Sequence, residues 1–142
     1  MFLGYWSEAS GLDRLRTLRL KGKVCSGKGE GAKFVDLAWV RKQMEETLGF
    51  TLFPGTLNLK LTEDSKVDGK LLNTLVGFEI VPHSGCCRAK FFKARMSEVD
   101  CAVIVPAVAG YPEDLVEVVA SVNLREKLGF FDGRLVELKV II

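Results

Sequence analysis

The chain has 142 residues, 48% of them apolar, which is enough for one domain with a sizeable core and too apolar for a disordered segment. Its 20 Lys and Arg against 18 Asp and Glu leave a formal charge of +2, so charge alone argues for neither a nucleic-acid surface nor a membrane surface. Cys25, Cys86, Cys87 and Cys101 show no C-x-x-C spacing and His83 is the only histidine, which argues against a structural zinc site and for reduced thiols.

No apolar run is long enough to span a bilayer. The start, Met1-Phe2-Leu3-Gly4-Tyr5-Trp6, lacks the basic region and long apolar core of a signal peptide, so the expected compartment is the cytoplasm. Residues 1–13 are short and mixed and read as a tail or linker. Residues 14–142 read as a single domain.

Residues 14–24 alternate, with Leu15, Leu18, Leu20 and Val24 against Arg16, Arg19, Lys21 and Lys23, and predict a strand. Ser26-Gly27-Lys28-Gly29-Glu30-Gly31-Ala32 follows. Glycine at alternate positions frees the backbone for unusual angles and for close approach by a ligand. Successive N–H groups in such a loop form an anion-binding concavity. A plain hairpin connection reads equally well, and no Gly-Lys-Ser/Thr ends the string, so it is not a Walker A loop. Residues 33–35 suit a short strand. Asp36 suits a helix N-cap, and Leu37, Val40, Met44 and Leu48 recur at helical spacing before Gly49 stops the helix. Trp39 is expected at the edge of that helix, and Arg41, Lys42, Glu45 and Glu46 on its solvated face.

Pro54-Gly55 predicts a turn, and Thr56-Leu57-Asn58-Leu59-Lys60-Leu61 a strand with its leucines in the core. The opposite face presents the Thr56 hydroxyl and the Asn58 amide oxygen, two residues and about 7 Å apart along a strand. Two neutral oxygens suit a hard cation that phosphates also hold, because magnesium in nucleotide sites takes few protein ligands. An ordinary turn and amphipathic strand fits the same spacing.

Residues 62–73 are polar, with Asp68-Gly69 as a turn signal. Residues 75–81 and 88–95 are expected strands joined by Pro82-His83-Ser84-Gly85, with His83 an exposed turn residue. Residues 100–105 form a further apolar strand ended by Pro106. Residues 107–114 read as a loop, and 115–119 as a strand in which Glu117 faces away from Val116 and Val118. Asn123 caps a short helix over 124–128, ended by Gly129. Asp132-Gly133 is a hairpin-type turn, and 135–142 the last strand. Many short strands with few helices argue for a β barrel rather than a doubly wound sheet.

Four stretches, taken in order, resemble the archaeal CTP-dependent riboflavin kinases: GKVCSGKGEGA from Gly22, LGFTLFPGTLNLKL from Leu48, CAVIVP from Cys101 and LVEVVASVNLREKLGFFDGRLV from Leu115. The resemblance implies a mainly β fold, a six-stranded cradle-loop barrel, with one longer and one short helix. It implies transfer of the CTP γ-phosphate to the 5′-hydroxyl of riboflavin, giving FMN and CDP, with one magnesium ion bound beside the nucleotide. Neither nucleic acid nor a membrane is an expected partner.

By the same resemblance, Gly27, Lys28, Gly29, Glu30, Gly31 and Ala32 form the nucleotide-binding glycine loop. Thr56 and Asn58 match the two metal ligands. Val122, Asn123, Leu124 and Arg125 form a second nucleotide-contacting segment, with Arg125 pairing with phosphate. Glu117 matches a flavin-contacting residue and is the candidate for orienting or deprotonating the acceptor hydroxyl. The family's flavin-contacting threonine falls on Ala109. That change removes one neutral hydrogen bond, worth about 0.5–1.5 kcal/mol, and Tyr111 is placed to replace it by stacking or through its hydroxyl. Two rivals stand beside this reading. One is a DNA-binding swapped-hairpin barrel, for which the helix, Asp-Gly turn and strand near the C-terminus are also typical. The other is a flavin or nucleotide sensor with weakened turnover.

Overall fold

In the computed structural model, which describes residues 16–27, 30–83 and 88–142, every strand is antiparallel to its neighbours. The elements in chain order are β1 (Thr17–Cys25), α1 (Glu30–Val35), α2 (Ala38–Leu48), β2 (Leu57–Leu61), α3 (Glu63–Leu71), β3 (Phe78–Ile80), β4 (Ala89–Met96), β5 (Val99–Pro106), β6 (Leu115–Ala120), α4 (Leu124–Leu128) and β7 (Leu135–Ile141). The sheet runs β3-β4-β5-β6-β2-β1-β7, and β4 also pairs with β7. That second pairing closes six strands into a barrel, as expected, and leaves β3 as an addition outside the ring. The expected tail at residues 1–13, together with Lys28, Gly29, Ser84, Gly85, Cys86 and Cys87, lies outside the described residues.

Alternation fixes what fills the barrel. Leu20, Leu59, Phe92, Val103, Val118 and Leu138 belong to the interior cluster. The same strands carry a second set on their outer face: Phe91 beside Phe92, Ile104 beside Val103, and Val119 beside Val118. These pack with Val35 of α1 and with Val40, Met44 and Leu48 of α2. Strands buried on both faces read as continuous apolar runs, which is why 101–105 shows no alternation.

Several local readings are corrected. Residues 33–35, expected as a strand, lie in α1. Three residues are too few for a period to show, and Val35 is buried against α2. Leu37, not Asp36, is the N-cap of α2, and its side chain makes no cap bond. Arg41 and Glu45 are not merely solvated. The Glu45 carboxylate accepts from Leu52 N at 2.8 Å, and the Arg41 guanidinium donates to Leu52 O at 2.6 Å. Phe53 N donates to Ala120 O at 2.8 Å, so the chain enters the Pro54 turn already fastened to both α2 and β6.

The polar stretch 62–73 contains helix α3 rather than a turn at Asp68-Gly69. Gly69 sits where the helix passes Leu61; a Cβ there would lie 2.5 Å from Leu61 Cδ1. The glycine that reads as a turn signal is thus a point of close packing. The strand expected over 75–81 shrinks to Phe78–Ile80. Beyond it, Gln43 of α2 pairs with Val81 as another backbone would, accepting from its N–H at 2.7 Å and donating to its carbonyl at 3.1 Å. Asn123 does cap α4, accepting from Glu126 N at 3.1 Å, and Gly49 and Gly129 end their helices in the left-handed conformation.

Met44 is fully buried between α2 and the outer face of the sheet. Met44→Ala should cost about 2–5 kcal/mol in urea-unfolding free energy, because the backbone on either side cannot collapse into the space. A change within error would show that α2 is not fastened by this cluster.

Candidate functional site

Glu117 is the largest charged side chain in the interior of the described structure: it is 0% exposed. The period of β6 sends Val116 and Val118 into the barrel and Glu117 to the outer face, next to α1. A buried carboxylate is tolerated only if donors replace its water. Three do. Gly31 N donates to Oε2 at 3.0 Å, the Tyr111 hydroxyl donates to the same oxygen, and the Thr56 hydroxyl reaches Oε1 at 2.9 Å. Each donor comes from a separate stretch of chain: the glycine segment, the Pro54 turn and the loop after β5.

Register brings in the next residue. Asn58 stands directly across from Glu117 on β6 and from Cys25 on β1, and it is buried. Its Oδ1 lies 3.1 Å from the Thr56 hydroxyl. Gly27 and Gly31 close over this group. A Cβ on Gly27 would fall 2.4 Å from Asn58 Nδ2, and one on Gly31 would fall 2.8 Å from the Glu117 carboxyl carbon. The glycines were expected to admit a ligand; at these two positions they admit the side chains of Asn58 and Glu117. Of the rest of that segment, Ala32 is half-buried in α1, while Lys28, Gly29 and the Glu30 side chain lie outside the described residues.

The second stretch expected to contact the nucleotide lies on the other side of the Pro54 turn. Pro54, Gly55 and Thr56 face Val122, Asn123 and Arg125 across a cavity of about 160 Å³. Leu124 turns into the barrel core. Asn123 Oδ1 is engaged in capping α4. Arg125 pairs with Asp132 at 2.8 Å, and the other Asp132 oxygen accepts from Ser26 Oγ at 2.9 Å. The hydrogen bonds from Arg125 and then Ser26 hold the Asp132 carboxyl below the usual carboxylate range. This bridge is present above that lowered pKa and is lost as pH falls through it. Asp132 joins the start of the glycine segment to Arg125. The sequence showed it only as half of an Asp-Gly turn, because its partners are far away along the chain.

The third side is the loop between β5 and β6. Val108, Tyr111 and Glu113 from this loop, with Gly69 and Leu72 from the region of α3, line a cavity of about 310 Å³. Tyr111 thus touches both this cavity and Glu117. Ala109 is exposed on the same loop and lines neither. The structure therefore brings together Gly27, Gly31, Thr56, Asn58, Tyr111 and Glu117, with Arg125 lining the same cavity as Thr56, and leaves Ala109 apart.

Among the described residues no three His, Cys, Asp or Glu side chains gather to hold a metal. Burial, followed by Asp132, pushes the Cys25 thiol up, and burial also raises Cys101. The polar side chains that meet at this site offer oxygen donors, Thr56 Oγ1 and Asn58 Oδ1 among them. No described helix is long and apolar enough to cross a membrane.

Known proteins with similar sequences carry a consistent name. The chain is 42% identical to a riboflavin kinase of Pyrobaculum arsenaticum over 132 residues, covering 90% of this chain and 63% of that protein. It is 39% identical to a riboflavin kinase of Archaeoglobus fulgidus over 130 residues, 89% of this chain and 56% of the relative. A riboflavin kinase of Methanosarcina barkeri is 37% identical over 123 residues, 84% of this chain and 55% of the relative. The chain thus spans little more than half to three fifths of these relatives' length. Residues 24–140 match the model of the family labelled CTP-dep_RFKase and described as "Domain of unknown function DUF120", and the chain belongs to that family.

Proposed function

We propose that this domain transfers the γ-phosphate of CTP to the 5′-hydroxyl of riboflavin, giving FMN and CDP. The names of the relatives support the substrate and the family label supports the donor. The observation that carries the reading is the meeting of the glycine segment, the Thr56–Asn58 pair and Tyr111 on one buried carboxylate. Donor and acceptor sides thereby lie within a few ångströms of each other, which is the condition for direct transfer.

The donor set fits magnesium. Neighbouring ligands of an octahedral ion with bonds of about 2.1 Å are roughly 3 Å apart, and Thr56 Oγ1 and Asn58 Oδ1 are separated by 3.1 Å. With only two neutral protein ligands, such an ion would rely on water and phosphate oxygens for the rest. Bound there, the ion would neutralise charge on the transferring phosphate.

Phosphoryl transfer asks the chain chiefly to position and to neutralise. Thr56 and Asn58 would hold the ion. Arg125 reaches the phosphates from the Asp132 bridge, with Lys28 a second cation. The amides of the glycine segment would take the phosphates, except that of Gly31, which donates to Glu117. Riboflavin takes the cavity beside Tyr111, and Glu117 orients its 5′-hydroxyl. Two donors occupy Oε2 and one occupies Oε1, so the substrate hydroxyl would have to reach the remaining acceptor position on Oε1 of a carboxylate that is buried before it binds. The reading implies a cytoplasmic enzyme.

Incubation with riboflavin, magnesium and each nucleoside triphosphate, followed by chromatography, should give FMN with CTP; no FMN with any donor would overturn the assignment. Thr56→Ala and Asn58→Ala should each raise the magnesium concentration for half-maximal rate about tenfold or more, since even partners that merely orient a ligand are worth that much. An unaltered magnesium requirement would remove these residues from the metal site.

A further inference from the structure

We propose that Tyr111 is a positioning residue for the cation site, acting through Glu117 on Thr56. The inference rests on the reading of Thr56 and Asn58 as cation ligands. It concerns which way a single proton points.

The Thr56 hydroxyl has one proton and two acceptors within reach, Asn58 Oδ1 at 3.1 Å and Glu117 Oε1 at 2.9 Å. The two choices have opposite consequences. A proton directed at Asn58 occupies a lone pair of one ligand and sets a positive hydrogen between the two oxygens. A proton directed at Glu117 leaves Thr56 Oγ1 and Asn58 Oδ1 presenting lone pairs to the same point. Only the second arrangement holds a cation, so the Glu117 carboxylate must stay where Oε1 can accept.

What keeps it there is the other oxygen. Oε2 receives Gly31 N–H at 3.0 Å and the Tyr111 hydroxyl. The Gly31 donor is backbone in α1 and no side-chain exchange removes it. The Tyr111 donor is a side chain, and Tyr111 is also a wall of the 310 Å³ cavity between the β5–β6 loop and α3. A molecule seated in that cavity therefore bears on the same hydroxyl that steadies Glu117. A molecule that packs against Tyr111 and holds its hydroxyl on Oε2 strengthens the cation site, and by thermodynamic necessity the cation strengthens binding in the cavity by the same factor.

The test is a titration with Mn²⁺ in the presence of CDP, following free Mn²⁺ by its electron paramagnetic resonance signal, for the wild type, Tyr111→Phe and Glu117→Gln. Tyr111→Phe removes one hydroxyl and should weaken Mn²⁺ binding about two- to tenfold. Glu117→Gln places an amide where both Oε2 donors point and should weaken it about 10–100-fold. Adding riboflavin should tighten Mn²⁺ binding by the wild type and leave Tyr111→Phe unchanged. Glu117→Gln preserves side-chain volume, so it probes the same link if Tyr111→Phe loosens the loop and lowers the melting temperature.

Wild-type Mn²⁺ affinity in either variant overturns the proposal. A Tyr111→Phe protein that shows only a raised KM for riboflavin does so as well, since Tyr111 would then touch the acceptor alone. A wild type that binds no Mn²⁺ with CDP is a different result: it removes the nucleotide–metal reading itself, and this inference with it.

Discussion

A carboxylate with no access to water must find its hydrogen bonds within the chain, and Glu117 finds three from three distant segments. Leaving one such acceptor unmet costs on the order of 1–3 kcal/mol, and more when it is charged. The requirement therefore acts on the surroundings. It fixes the approach of α1, the conformation of the turn at Thr56 and the seat of the β5–β6 loop. Both glycines that touch the site follow from the same demand, because a methyl group on either would collide with Asn58 or Glu117. A buried charge of this kind is weak evidence for stability, since apolar residues of the same volume would pack without it.

The barrel was legible because its strands alternate and its turns are marked. Pro54-Gly55, Gly49, Asn123 and Gly129 stand where local stereochemistry demands them. Errors gathered where a contact distant in sequence decides the structure. The helix over 63–71 is polar and holds a glycine, so nothing local announces it; Ser65 on its buried side accepts from Lys21 N, 44 residues away. Residues 33–35 carry one buried valine, and the sheet against which it packs is built from residues far downstream.

The candidate site divides in the same way. Thr56 and Asn58 could be placed on one strand face from their spacing alone. That Glu117 would lie across from Asn58 needed the β2–β6 register, which no local pattern contains. Asp132 was visible only as a turn residue, and Tyr111 only as a flavin-side loop aromatic with no sign of its bond to Glu117. Their partners, Ser26 and Arg125 for one and Glu117 for the other, are properties of the closed fold.

The closure of the ring has a consequence of its own. β4 and β7 are joined only through Ala94 with Val140 and Arg95 with Lys139, whereas β4 and β5 pair along their whole length. Counting round the six strands, this narrow seam lies diametrically opposite the β6–β2 junction that carries Glu117 and Asn58. Opening costs least where the fewest ladder bonds cross, and the shortest ladder and the buried Glu117–Asn58 pair occupy opposite flanks. The molecule can yield along one side without disturbing the ångström-scale alignment on the other.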